Sequence, residues 1–190
     1  MMSTPLFDVL QQQLAPVTGE FSLSHGTLVV GTPPAALLDV VQRQLALVSG
    51  EFSLSHGTLV IAFPPAALLA IVRRLKGEFG FDLLLDVTAV DWPGQAPRFE
   101  VVHHFYSTAH RVRVRLKTRV GAAEPVVDSL CALYGSAAYM ERECHDMYGI
   151  VFRGNRDLRP ILLYEGFVGH PLRKDYPKLR EQPLVAYREG

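Results

Sequence analysis

Residues 140–177 read MERECHDMYGIVFRGNRDLRPILLYEGFVGHPLRKDYP, and two kinds of structure follow one another in them. Up to Tyr148 the spacing predicts a helix, over Tyr139 to Tyr148. From Arg153 the chain turns rich in glycine, proline and charge, which predicts an extended tail over 153–190 with little regular structure. Charges run throughout: Glu141, Arg142, Glu143 and Asp146, then Arg153, Arg156, Asp157 and Arg159, then Arg173, Lys174 and Asp175. Phe, Tyr, Ile and Leu stand between them. A solvated charge run lacks such interleaved apolar residues, so the stretch reads as a surface buried against another protein.

Working back from Met140, Val126 to Tyr134 reads as a further helix. RVRVRLK at 111–117 alternates strictly, with Val112, Val114 and Leu116 on one strand face and Arg111, Arg113, Arg115 and Lys117 on the other. That basic face could meet phosphates, but it carries no aromatic platform; an edge strand guarded by charge is the expected role. Phe99 to Tyr106 alternates as a strand, Pro93-Gly94 marks a turn, and the apolar run Asp82 to Val90 reads as a central strand. Ala66 to Lys76 reads as a helix through Leu68, Leu69, Val72 and Leu75.

The amino-terminal third is an internal repeat. Residues 8–38 align with 39–69 at a constant offset, with 24 of 31 positions identical and GEFSLSHGTLV unbroken in both copies. Each copy reads as a helix followed by a hairpin, with His-Gly at the turn; the helix after Pro33-Pro34 runs from Ala35 to Leu45. Two copies are too few for a solenoid. Copy two is the more apolar, with Phe63 for Thr32, Ala62 for Gly31, Ala70 for Asp39 and Leu47 for Pro16, so it is expected in the core. The reading is α+β: a mostly antiparallel sheet with helices packed on one face, a duplicated amino-terminal helix–hairpin unit and an extended carboxyl-terminal tail. The expected divisions are 1–38 (appendage), 39–152 (core) and 153–190 (partner-binding tail).

Composition narrows the function. Nineteen basic residues balance 19 acidic ones, so no net field draws nucleic acid or anionic lipid. The longest apolar run, Leu59 to Val72, is broken by Pro64-Pro65 and too short to span a bilayer. MMSTPLFDVL has neither region of a signal peptide. Cys131 and Cys144 fit no metal or redox spacing and read as reduced thiols.

Candidate chemistry is sparse. Glu143 and Asp146 lie three apart on one helix face and could form an acid/base pair, but no nucleophile or glycine-rich loop accompanies them. The expected role of Glu141, Arg142, Glu143 and Asp146 is ion pairing with the arginines downstream. His103 and His104 point to opposite faces of their strand, and Cys144 and His145 diverge on their helix, so neither pair forms a metal site. His170 lacks the partners of a catalytic triad. Pro171 and Pro177 stiffen a segment in which Arg173, Lys174 and Asp175, between Leu172 and Tyr176, are expected to anchor in a partner's groove.

The same stretch resembles the signature of the thirty-kilodalton (C) subunit of proton-pumping NADH–quinone oxidoreductase, respiratory complex I. The matching pieces are Glu141-Arg142-Glu143, Asp146-Met147-Tyr148-Gly149-Ile150, Phe152, Asp157-Leu158-Arg159, Ile161-Leu162, Gly166-Phe167 and Gly169-His170-Pro171-Leu172-Arg173-Lys174-Asp175-Tyr176-Pro177. The chain departs from the signature at Asn155-Arg156, where the family carries His-Pro. The resemblance implies a non-catalytic subunit that binds no cofactor, in a complex holding FMN, iron–sulfur clusters and quinone. It implies a peripheral place on the cytoplasmic side of the inner membrane, with the tail wrapping the larger, forty-nine-kilodalton (D) subunit. Two other readings stay open: the homologous subunit of a membrane-bound energy-converting hydrogenase, and a free-standing hydrolase using Glu143, Asp146 and His170.

Overall fold

The computed structural model describes residues 20–24, 27–31, 34–45, 50–177 and 179, with side chains from Leu38 onward. Strands β1 (Glu20–Ser24) and β2 (Thr27–Gly31) pair antiparallel and are followed by helix α1 (Pro34–Leu45). Next come β3 (Glu51–Ser55), β4 (Thr58–Phe63), a 3-10 turn (Pro65–Ala67), α2 (Leu68–Gly77), β5 (Leu83–Asp91), β6 (Phe99–Ser107) and β7 (Val112–Val120). Then come β8 (Val126–Asp128), α3 (Ala137–Tyr148) and β9 (Val151–Arg153), and a stretch without regular elements through residue 177.

The main sheet has the order β3-β4-β7-β6-β5. All its pairings are antiparallel except β4 with β7, where Leu59 to Phe63 run parallel to Val114 to Thr118. That parallel pair is made possible by the long connection through α2, β5 and β6, since parallel neighbours need a crossover. The β3–β4 hairpin turns on His56 and Gly57, both at positive φ (49° and 73°), as a two-residue turn matched to strand twist requires.

One sheet face builds the core. Leu59, Ile61, Val114, Leu116, Phe99, Val101, Phe105 and Val87 meet Leu38, Val41 and Leu45 of α1, Leu68, Ile71, Val72 and Leu75 of α2, and Ala137 and Cys144 of α3. Burying each large aliphatic chain is worth about 1.5–3 kcal/mol. The division expected at 38/39 falls inside α1, whose Leu38 and Val41 share this core. His103 lies on this inner face, fully buried, while His104 lies on the other, as alternation dictates.

Three expectations are corrected. The Arg-rich strand β7 is the middle strand, not an edge: on the opposite sheet face, Lys117 and Arg119 ion-pair with Glu100 of β6 and Arg113 stacks over Tyr106, so these three charges meet neighbouring strands. The apolar strand β5 is an edge, not central, and leaves Leu83, Leu85 and Val90 exposed. Residues 126–134 are not a helix. Val126 to Asp128 form a strand parallel to β9, and turns follow, with the N–H groups of Leu133 and Tyr134 both reaching Leu130 O.

Candidate docking site of the carboxyl-terminal tail

The end of α3 is where the tail is fastened. Gly149 closes the helix in the left-handed conformation (φ 72°), its N–H bonding His145 O at 2.7 Å. The position also needs the missing side chain: a Cβ there would lie 2.4 Å from His170 Nε2 and 2.5 Å from Arg173 Nη2.

Asp146 points into the loop beyond β9. Its Oδ2 accepts the N–H groups of Ile161 (2.7 Å), Leu162 (2.9 Å) and Leu163 (3.3 Å). Burial alone would raise the Asp146 pKa, but these three amides, with His145 beside it, reverse that and hold it below the ordinary carboxylate value. The following turn is tied to the same helix end. His170 donates Nδ1–H to Asp146 O (2.9 Å), Leu172 N–H reaches Met147 O (3.1 Å), and Arg173 Nε donates to Tyr148 O (2.6 Å). Those three carbonyls lie in the last turn of α3, which leaves carbonyls without intrahelical partners.

A second clamp holds the far end. Asp91, on the last position of β5 and 4% exposed, takes a two-pronged bond from Arg98 (Nε to Oδ1 2.6 Å, Nη2 to Oδ2 2.7 Å) and the Lys174 N–H at 2.7 Å. Arg98 also reaches Asp175 at 2.8 Å and lies over Phe99. The Arg98 hydrogen bonds hold Asp91 and Asp175 below the usual carboxylate range and keep Arg98 charged.

Glu141 is fully buried. It accepts from Ser129 Oγ (2.7 Å), Leu130 N–H (2.7 Å), Asn155 Nδ2 (3.0 Å) and the Cys131 thiol (3.4 Å). Arg142 donates to the carbonyls of Arg159 and Pro160, both at 2.9 Å, and stands 3.9 Å from Asp157. Asp157 in turn pairs with exposed Arg159. The expected lattice of α3 carboxylates with downstream arginines is therefore corrected: Glu141 and Asp146 bind amides and hydroxyl or thiol groups, because a buried carboxylate needs donors and main-chain N–H groups are the nearest ones. Glu143 is exposed and does not share the buried side of Asp146.

This placement leaves little acid–base chemistry. The Asp146 carboxylate is engaged by main-chain amides, and His170 faces its backbone carbonyl instead. Among the described residues no three His, Cys, Asp or Glu side chains gather as a metal site. Nor, among them, is any helix long and apolar enough to cross a membrane. Arg173 and Asp175, expected in a partner's groove, are engaged by the chain's own Tyr148 and Arg98; Tyr176 stacks on Phe167, and Pro171 is half-buried. Asn155, where the chain departs from the signature, closes the Glu141 site and caps the turn by accepting Asp157 N–H.

Sequence reasoning missed Asp91, Arg98 and Ser129, and it gave Gly149, a residue of the signature, no role of its own. A two-pronged pair across the β5–β6 turn could have been sought from an Asp and an Arg flanking Pro93-Gly94, but no spacing announces that the tail returns to it. While several polar groups of this segment hold the tail, large apolar side chains stay exposed beside charged ones such as Arg159, Glu165 and Lys174. Ile161, Leu162, Tyr164, Val168 and Leu172 are all exposed, Leu162 to 62% and Val168 to 60%. Five large apolar side chains left exposed within residues 161–172 make this segment a candidate interaction surface.

The α+β domain with its mixed five-stranded sheet has structural relatives. A trypsin-resistant fragment (1–134) of Nqo5 superposes with a TM-score of 0.60 at 26% identity, over 64% of this chain and 99% of the fragment. A chain of the membrane-bound sulfane sulfur reductase, an archaeal respiratory membrane complex, superposes with a TM-score of 0.65 at 26% identity, over 74% of this chain and 85% of that one. Residues 61–182 match the family model of the respiratory-chain NADH dehydrogenase 30 Kd subunit, and the chain belongs to that family. The NADH-quinone oxidoreductase C subunit of Geotalea uraniireducens is 47% identical over 103 residues, 54% of this chain and 63% of that protein. The same-named protein of Paramagnetospirillum magneticum is 49% identical over 105 residues, 54% of this chain and 52% of that protein. The chain thus spans about half to under two thirds of the curated relatives it matches.

Proposed function

We propose that this chain is a structural subunit of the hydrophilic arm of a proton-pumping NADH–quinone oxidoreductase, holding the D subunit in place beside the quinone-reducing module. It carries no cofactor of its own. FMN, iron–sulfur clusters and quinone belong to neighbouring subunits, and electrons pass through those neighbours while this chain fixes their geometry. Its place is peripheral, on the cytoplasmic side of the membrane.

The observation that carries this reading is the division of labour within the tail. The charges of Asp91, Arg98, Asp146, Arg173 and Asp175 are engaged by groups of the chain itself, while Leu162, Val168 and Leu172 are exposed. A pre-ordered apolar surface binds with less entropic loss than a tail that must fold on its partner. Membership of the 30 Kd subunit family supports a partner among the subunits of such a complex.

Affinity purification of the tagged full chain from native membranes, followed by identification of the retained proteins, tests the reading. Co-purification of the D subunit and flavin-bearing neighbours is the expected result; recovery of this chain alone from mildly solubilised membranes would refute it. The likeness to a sulfane sulfur reductase chain favours a second reading, in which the same scaffold serves another membrane-bound respiratory complex, the energy-converting hydrogenase included. Retention of hydrogenase or sulfur-reductase subunits in place of NADH-binding ones would select it.

A further inference from the structure

The two hairpins of the repeat have the same pairing register. Glu20 faces Gly31, Phe21 faces Val30 and Leu23 faces Leu28 in the first; Glu51 faces Ala62, Phe52 faces Ile61 and Leu54 faces Leu59 in the second. Each set follows from the other by the repeat offset. Yet their positions differ. β3–β4 is built into the main sheet against β7, whereas β1–β2 forms a separate two-stranded sheet.

What β7 requires of its neighbour is short. Leu59, Val60, Ile61, Ala62 and Phe63 lie against Val114 to Thr118, and Thr118 Oγ1 donates to the main-chain carbonyl of Phe63 at 3.0 Å. Copy one offers Leu28, Val29, Val30, Gly31 and Thr32 at the equivalent places. Every replacement is identical or smaller and none is charged, so copy one would leave cavities in the slot but no clash. The carbonyl that Thr118 uses exists whatever the side chain.

The element after each hairpin is duplicated too. α1 and α2 both begin within a Pro-Pro-Ala-Ala-Leu-Leu run, and Val40 and Val41 stand where α2 has Ile71 and Val72. The exception is Gln44, which occupies the place of fully buried Leu75. Gln44 and Thr32, against Leu75 and Phe63, are the differences that favour copy two.

We propose that the sheet position beside β7 is a slot with two resident occupants in this chain: β3–β4 holds it, and β1–β2 takes it over when copy two is weakened. The repeat is then an internal spare for the strand on which the sheet depends, held in reserve by a few buried side chains. The exchange alters the long-range pairing of both hairpins and leaves the β5–β6 and β6–β7 pairings and the tail clamp untouched.

Full-length variants test this. Ile61→Asp puts a charge into a position 1% exposed against Leu116, and Val30→Asp makes the equivalent change in copy one. Val30→Asp leaves the thermal transition unchanged, since copy one is not in the main sheet. Ile61→Asp lowers the Tm but keeps a cooperative transition, and the double variant loses the transition, a non-additivity that a single-occupant sheet cannot produce. Disulfide trapping gives a second readout. In the Ile61→Asp background, Leu28→Cys with Val114→Cys forms a bridge within one chain, because Leu28 then takes the partner of Leu59. Loss of the transition in Ile61→Asp alone, absence of that bridge, or a bridge formed only between two chains would each overturn the proposal.

Discussion

Gly149 and His170 are packed so closely that a single methyl group on the glycine would overlap the imidazole, at 2.4 Å from Nε2. The end of α3 and the turn of the tail are thus one unit: the residue that ends the helix leaves the space the tail occupies. Gly149→Ala should destabilise the protein by about 1–2 kcal/mol through the left-handed backbone alone. It should also displace His170 and Arg173. Limited proteolysis reports the second effect, with cleavage within 155–176 accelerating well beyond what the Tm loss explains.

Asp146 and Asp91 fasten the two ends of the tail, and both have depressed pKa values in the folded chain. A depressed folded value means that the unfolded chain binds protons first, so the stabilisation is full above the unfolded Asp value of about 4 and is lost as pH falls through the folded values. Urea midpoints should therefore be set by other groups above about pH 5 and drop below about pH 4. In Asp146→Asn the neutral amide oxygen still accepts one or two of the three N–H bonds, so stability at neutral pH falls by about 1–2 kcal/mol and the acid limb becomes shallower.

His103 has a separate acid window. It is fully buried, both ring nitrogens lack hydrogen-bond partners, and burial, with His104 adding to it, drives its pKa down to about 3. The unfolded histidine titrates near 6.5, so between there and about 3 the unfolded chain holds an extra proton and stability falls with decreasing pH, by up to about 1.4 kcal/mol per unit. His103→Leu removes a buried polar ring without partners. It should flatten the profile between pH 6.5 and 4 while leaving neutral stability equal or higher. Chemical denaturation at pH 7.5, 6 and 5 makes the comparison.

Arg98 and Asp91 differ in exposure, with the Asp91 side chain fully covered and Arg98 partly open. Arg98→Ala strands a buried carboxylate and should cost about 3 kcal/mol, whereas Arg98→Met with Asp91→Leu should recover most of that loss, because the cost lies in the uncompensated charge and not in the missing pair. The cycle is read from equilibrium unfolding, and tail release from proteolysis of the same variants.

How much of this the sequence discloses depends on the range of the contact. The hairpin at His56-Gly57, helices α1, α2 and α3 and strands β5, β6 and β7 are all legible, because periodicity and turn residues are local. Their order is not. Arg113, Arg115 and Lys117 on β7 read as the guard of an edge, and Leu83, Leu84 and Leu85 of β5 as a central run, yet the neighbours of each strand reverse both readings. Val126, Val127, Leu130 and Tyr134 fall at helical spacing and still form a strand and turns, because β9, twenty-five residues further on, supplies the pairing. For the docking site, the stretch 140–177 is visible and the direction of its charges is not. Whether Asp146 meets an arginine or three amides depends on where residues 161–163 return, which no local pattern encodes.

On the proposed function, the exposed apolar side chains of the clamped tail are what a partner subunit binds. Leu162→Glu with Leu172→Glu changes two exposed side chains that the clamps do not use, so the Tm should stay within about 2 °C of the parent, as for surface substitutions away from packed sites. Tagged full-length chain carrying both substitutions, purified from native membranes beside the parent, gives the direct measurement. At least a tenfold loss of the co-purifying D subunit is expected, about 1.4 kcal/mol or more of binding free energy, with the fold intact. Undiminished recovery of that partner by the folded variant would contradict it.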